Sequence, residues 1–171
     1  MTSFQLGIYA PPRRATVDDS EVVAQHRARM FADMGTAPAQ VESIARESTQ
    51  WFREALASGA YLGWLVVLRD VPTTIVAGAG MLLMNWPPTH RDVRTRRGYI
   101  LNVYTEPEHR RRGLARLLTI EVLDEARRRD IGIVTLHASE QGRQLYESLG
   151  FQDTNEMRLE FGRFSPTPPL E

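Results

Sequence analysis

The stretch from Val103 to Leu118, VYTEPEHRRRGLARLL, sets three consecutive arginines and a glycine between a strand-like run and the start of an apolar helix. Upstream, GYILNVYT over 98–105 alternates Tyr99, Leu101 and Val103 against Ile100, Asn102 and Tyr104, and Pro107 ends the run by withholding a ladder donor. Downstream, Leu114, Leu117, Leu118, Val122 and Ala126 share one helical face, and Arg127, Arg128 and Arg129 sit where cations complement a helix C-terminus. A tight turn between such a strand and helix leaves the first helical N–H groups without carbonyl partners, aimed with the positive end of the helix dipole at one spot. A diphosphate fits there. Gly113 and Ala115 allow close approach to the main chain, and Arg111, Arg112 and Arg116 can add charge at the edge. The nucleotide loop G-x-x-x-x-G-K-[ST] is excluded because the chain contains no lysine, and G-x-G-x-x-G is missing from this stretch. On spacing alone, a solvated turn made by Arg110, Arg111 and Arg112 and eased by Gly113 is an equal reading.

Outward from this stretch the chain reads as one α/β domain. TVDDSEVVAQHRARMFADMG (16–35) is a helix with Asp18 or Asp19 as N-cap and Gly35 as stop. APAQVESIARESTQWFREALASG (37–59) is a second, with Pro38 near its first turn and Gly59 beyond its end. YLGWLVVLRD (61–70) and TTIVAGAGMLLMNW (73–86) are β-branched and apolar, as a buried antiparallel hairpin would be, and a polar loop with Arg91, Arg94, Arg96 and Arg97 follows. After the third helix come a short strand in IGIVTLHA (131–138), a helix in SEQGRQLYESLG (139–150) and a last strand in FQDTNEMRLEF (151–161). A proline-rich tail, over 164–171, is expected to fray. No internal repeat interrupts this order, and the product is a mixed sheet covered by helices.

Composition bounds the function. With 171 residues, one core is the default. Twenty-one basic residues, all arginine, balance twenty-one acidic ones, so no global field draws the protein to nucleic acid or an anionic membrane. The chain has no cysteine, which excludes disulfides, thiolate nucleophiles and cysteine-ligated metal. The N-terminus lacks a signal-peptide layout, and no apolar run approaches the ~20 residues of a membrane span. A cytoplasmic protein is the simplest reading. His26, His90, His109 and His137 show no metal-ligand spacing, so no metal is expected.

The Arg110–Ala115 segment resembles the [QR]-x-x-G-x-[GA] pyrophosphate loop of the GNAT superfamily of acetyl-CoA-dependent N-acetyltransferases. SEQGRQLYESLGF is similar to that family's late helix, with Ser139 where an asparagine is commonest and Tyr146 on the tyrosine of L-Y-x-x-x-G-F. Motif-level resemblance covers 99–151, and element order agrees from about 14 to 163. The resemblance implies a mostly antiparallel twisted sheet of about six strands with about four helices. It implies that Val103, Tyr104 and Thr105 offer main-chain groups to the pantetheine arm of acetyl-CoA. Arg110, Arg111, Arg112, Gly113, Leu114, Ala115 and Arg116 would hold the pyrophosphate, and Ser139 would bond the cofactor with less reach than asparagine. Tyr146 would be the general acid for the departing thiolate after direct attack by an amine in a ternary complex.

An alkylamine with pKa near 10.4 must lose a proton before it attacks. His137, at the end of IVTLHA, has a suitable unperturbed pKa of about 6.5; a strand-end hydrogen-bonding role and proton loss to water are competing readings. A packing role is the alternative for Tyr146. A non-catalytic acyl-CoA sensor is the alternative function, separated from an enzyme by turnover with any amine. The acceptor carries no legible motif, and assembly of two copies stays open. Nucleic-acid binding through Arg91, Arg94, Arg96, Arg97 and the triple-arginine turn is opposed by the neutral net charge and the lack of a stacking motif.

Overall fold

The computed structural model of the chain describes residues 6–160. It divides after His137 into two compact units. The first unit holds β1 (Arg13–Arg14), α1 (Ser20–Asp33), α2 (Pro38–Ser58), β2 (Tyr61–Val67), β3 (Ile75–Asn85), β4 (Arg96–Thr105), α3 (Leu114–Arg128) and β5 (Val134–Leu136). The strands form one sheet in the order β1-β2-β3-β4-β5, antiparallel except for the β4–β5 pair.

Local chemistry sets the helix boundaries. A single 3-10 turn, Val17–Asp19, precedes α1, and the Asp19 carboxylate closes it by accepting from the Thr16 N–H at 2.8 Å and from the Arg13 guanidinium at 2.7 Å. Asp19 therefore anchors the entry to α1 through its side chain, as well as occupying the N-cap position. Pro38 occupies the first turn of α2, where a missing N–H costs nothing, and Gly59 ends that helix with φ 72°.

α1 and α2 cover one face of the sheet, where Val23, Ala24, Phe52, Ala55, Tyr61 and Leu65 form a core cluster joined by Leu101. The amphipathic α3 buries Leu114, Leu118, Val122 and Ala126. Glu125 of α3 bonds Arg14, and the Arg14 guanidinium stacks on Trp64 of β2, 4.2 Å from the ring centroid. Among the described residues, no helix is long and apolar enough to cross a membrane.

β4 has two irregularities. Leu101 pairs with Gly80 and Tyr104 with Gly78, so Asn102 and Val103 together face the single residue Ala79. This is a β-bulge, and Asn102 takes the left-handed conformation with φ 57° that asparagine tolerates better than most residues. Strict alternation would send Leu101 and Tyr104 to opposite faces; the extra residue brings both onto the α1 face. Second, β5 pairs with β4 only over Gly98–Ile100. Beyond that point, Leu101–Thr105 have no strand partner on the β5 side among the described residues.

The second unit carries α4 (Glu140–Glu147), capped by the Ser139 hydroxyl accepting from Gly142 N–H at 3.2 Å. Gly150, at φ 92°, turns the chain beyond it. The last strand expected over 151–161 does not form within the described residues, and Phe161 lies outside them. Every residue from Gln152 to Leu159 is exposed, Met157 at 94%, so the segment buries no apolar face to offset the entropy of ordering it as a strand. Among the described residues the sheet has five strands rather than about six; the two-residue β1 is an addition that no sequence pattern signals. The expected tail over 164–171 lies outside the described residues.

Candidate functional site

The free edge of β4 leads into the arginine loop. A short 3-10 turn, Pro107–His109, follows the strand, and Arg110 then folds back on it. Its Nε donates to the Thr105 carbonyl at 3.0 Å and its Nη2 to Asp33 of α1 at 2.5 Å, with the guanidinium 5.6 Å from the Tyr104 ring centroid. Arg110 is thus a strut that ties the end of β4 to α1. Arg111 and Arg112 are exposed and form no hydrogen bond or ion pair among the described residues.

Arg111 adopts φ 59° and Gly113 φ 79°, so the main chain bends twice within three residues before α3 begins. Gly113 is the N-cap and offers no side-chain cap. The first helical bond runs from Leu117 N–H to the Gly113 carbonyl at 3.0 Å, which leaves the N–H groups of Leu114, Ala115 and Arg116 ahead of the helical ladder. Leu114 is buried and anchors this turn from below, while Gly113 lies at the surface. The strand edge and the helix terminus, separated by the Pro107–His109 turn, each present main-chain groups, suited to an extended chain that ends in an anion. On the strand edge Val103 and Thr105 are half-buried, and the Thr105 hydroxyl is a buried polar atom without a partner. The Tyr104 side chain is buried on the α1 face, where its hydroxyl lies 3.4 Å from Glu106.

Under the bulge lies a polar cluster that the sequence does not announce. Val23, His26, Tyr61, Gly63, Leu65, Gly78, Ala79 and Asn102 line a narrow gap. Gly78 and Gly80 create the room, since a Cβ on Gly78 would stand 3.0 Å from His26 Nδ1 and one on Gly80 would stand 2.0 Å from the Tyr61 hydroxyl. Burial pushes the Tyr61 hydroxyl pKa well above its usual value, with Asn102 and Arg27 opposing the shift. Asn102 accepts from Arg27 Nη1 at 3.1 Å, while its own Nδ2 is buried without a partner. His26 is 1% exposed, and burial, then the nearby Arg29, pushes its pKa down to about 4. Glu106 lies 3.7 Å from His26 Nε2, but the Arg29 guanidinium bonds the same carboxylate oxygen and takes up its charge. The imidazole is therefore neutral.

His137 ends β5 on the exposed side, where its Nδ1 shares a hydrogen bond with the Tyr99 hydroxyl of β4. The structure thus joins His137 to the β4 strand through a phenol. Ser139 and Tyr146 belong to the second unit. Ser139 already uses a lone pair as a helix cap, a role that leaves its hydroxyl proton available to donate. Tyr146 sits edge-on to Phe151, with ring centroids 5.8 Å apart, and burial pushes its pKa up to about 12. Its hydroxyl is held in the protonated, donating form at neutral pH. Among the described residues no group of three or more His, Asp or Glu side chains is placed to hold a metal ion.

Among the described residues, a five-stranded, mostly antiparallel sheet whose bulged β4 runs into an arginine loop at a helix N-terminus gives the framework of an acetyltransferase. The model of the Acetyltransferase (GNAT) family matches residues 23–151, so the chain belongs to the GNAT acetyltransferases, which carry out acyl transfer from acetyl-CoA. Solved structures agree. A GCN5-related N-acetyltransferase from Ralstonia eutropha JMP134 is 32% identical with a TM-score of 0.83, over 90% of this chain and 98% of that one. A predicted acetyltransferase with acetyl-CoA from Clostridium acetobutylicum is 32% identical with a TM-score of 0.82, over 91% of this chain and 98% of that one. Glucosamine-6-phosphate N-acetyltransferase from Arabidopsis thaliana shares the fold at 14% identity, with a TM-score of 0.67 over 91% of this chain and 99% of that one. No curated protein matches the sequence significantly.

Proposed function

We propose that the protein is an N-acetyltransferase that moves the acetyl group of acetyl-CoA to a primary amine by direct attack in a ternary complex. The observation that carries this reading is the unpaired edge of β4 at Leu101–Thr105 leading into the Arg110–Arg116 turn. Val103, Tyr104 and Thr105 bind the pantetheine arm through main-chain groups, and the N–H groups from Arg111 to Arg116 hold the pyrophosphate with Arg111 and Arg112 adding charge. Ser139 donates its hydroxyl proton to the cosubstrate. The amine nitrogen forms a bond to the thioester carbon, and the tetrahedral adduct collapses with loss of the C–S bond. Tyr146 gives its proton to the leaving sulfur. The proton released by nitrogen passes to His137, with the Tyr99 hydroxyl orienting the imidazole at its Nδ1.

Calorimetry with acetyl-CoA, followed by thiol release across a panel of amines, tests the reading. The chain has no cysteine, so a thiol-reactive dye reports released CoA without protein background. Acetyl-CoA binding together with amine-dependent thiol release is the expected result. Binding without release from any amine would leave an acyl-CoA-binding module in place of an enzyme.

A further inference from the structure

We propose that Arg27 receives a carboxylate of the acceptor, so that the amine acetylated by this protein is a small, amino-acid-like molecule. The inference rests on the transferase reading above and names the substrate class for the same site.

Arg27 differs from the arginines around it. Arg13 pairs with Asp19 at 2.7 Å, Arg110 with Asp33 at 2.5 Å, Arg94 with Asp92 and Asp130 at 2.7 Å, and Arg29 with Glu106. Arg27 is half-buried on the same helix as Arg29, yet among the described residues it meets no carboxylate within ion-pair distance. Its one side-chain hydrogen bond goes from Nη1 to the neutral Asn102 Oδ1 at 3.1 Å, although a guanidinium carries five N–H donors. Its flank rests on Phe31, 5.0 Å from the ring centroid. Removing a charge from water is costly unless an opposite charge compensates it. Burial is the main influence on Arg27, pulling its pKa down, and only the phenols of Tyr61 and Tyr99 oppose it. Two carboxylates that pair with side chains of or beside α1, Glu106 and Asp33, are already bound by Arg29 and Arg110. Among the described residues the site is short of one negative charge.

The position of that deficit matters. Asn102, which anchors Arg27, is the bulge residue of β4 and lies within the unpaired edge itself. Tyr99 is an α1-face residue of the same strand, paired with Leu82, and it holds His137. The cation is therefore fixed to the strand along which the thioester is proposed to lie. It also lies on the side that carries the proton acceptor. A planar guanidinium takes a carboxylate through two parallel hydrogen bonds. One such group matches the single charge of a carboxylate better than the −1.5 to −2 of a phosphate monoester. A polyamine or a lysine side chain would set a second cation against an uncompensated one.

Thiol release is measured with acetyl-CoA and matched acceptors: amino acids and their carboxamides, spermidine, phosphoethanolamine and a lysine-containing peptide. The best amino acid should exceed its carboxamide in kcat/KM by about 10- to 100-fold, the weight of a charge-assisted hydrogen bond to an ionised group. Arg27→Gln should remove that preference, mostly through KM for the acid, while acetyl-CoA affinity by calorimetry stays unchanged and confirms a folded protein. Arg27→Lys, which keeps the charge and loses the fork, should restore only part of it. A carboxamide, spermidine, phosphoethanolamine or the peptide used as well as the best acid would overturn the assignment while leaving transfer to amines intact. Equal losses on acid and carboxamide in both variants would do the same. No release from any amine would instead sink the transferase reading, and this inference with it.

Discussion

Acidification should unfold this protein partly through a single buried imidazole. His26 is 1% exposed, stacked 5.0 Å from the Tyr104 ring centroid, and has no hydrogen-bond partner at Nε2. Its pKa in the fold is pushed down to about 4, by burial first and then by Arg29, against an ordinary value of about 6.5. The folded value lies below the unfolded one, so the unfolded chain takes up the proton first as pH falls. The stability this residue contributes is complete above pH ~6.5 and is lost as pH drops toward 4. The gap corresponds to ~3 kcal/mol in full, of which ~2 kcal/mol is lost by pH 5. Urea unfolding of wild type and His26→Leu at intervals from pH 8 to pH 5 isolates the effect. Other groups titrate alike in both proteins; Asp19, held low by its hydrogen bonds from Arg13, loses its contribution only at more acid pH. The wild-type minus variant difference should fall by ~2 kcal/mol over that range. A difference that stays constant would mean that Glu106, 3.7 Å away, pairs with a charged His26 in spite of Arg29.

Gly80→Ala sets a Cβ 2.0 Å from the hydroxyl of a buried Tyr61, and should lower stability by about 1–3 kcal/mol in urea melts; an unchanged midpoint would show that Tyr61 can turn away. Gly113→Val strains a residue at φ 79° and crowds the helix terminus, so calorimetry should find acetyl-CoA affinity at least ~10-fold weaker in a folded protein, and unchanged affinity would remove the pyrophosphate assignment. Tyr146→Phe keeps the ring against Phe151 and loses the proton, which should cut kcat by ~100- to 10,000-fold with little change in acetyl-CoA affinity; wild-type kcat with chemistry limiting would make Tyr146 a packing residue. His137→Gln should lower kcat with little change in acetyl-CoA affinity, and wild-type kcat with chemistry limiting would move proton removal to another group.

The helices were legible because their signals are local. Pro38, Gly59 and the α3 apolar face act over a few residues, and a pattern of that range is visible in a single sequence. The arginine turn was legible for the same reason, although only the structure separates Arg110, a strut bound to Thr105 and Asp33, from the exposed Arg111 and Arg112. The bulge at Asn102 was not legible. Simple alternation over 98–105 describes β4 well, and the extra residue is fixed by pairing with Gly78 and Gly80, more than twenty positions upstream. His26, Arg27, Tyr61 and Asn102 escaped notice as a cluster because they come from three elements. The one available hint was GAG within β3, where side-chain-free positions in a strand announce that another group approaches closely. The strand read over 151–161 failed because composition reports strand-forming residues but not whether a sheet edge accepts them.

The adjacent residues His26 and Arg27 divide the pH response of α1 into two parts that can be measured separately. The glycines of β3 give His26 room to be buried, and burial keeps it neutral over the working range. The bulge places the Asn102 amide oxygen beside Arg27, which keeps its charge at any pH the protein survives because no guanidinium deprotonates there. An acceptor carboxylate likewise stays ionised above pH ~5. Anchoring of the acceptor by Arg27 should therefore be flat from pH 8 to pH 6. A pH-dependent KM for the carboxylate acceptor that survives in His137→Gln, and is absent for a carboxamide, would contradict this division. In that case a titrating group other than Arg27 would be holding the acid.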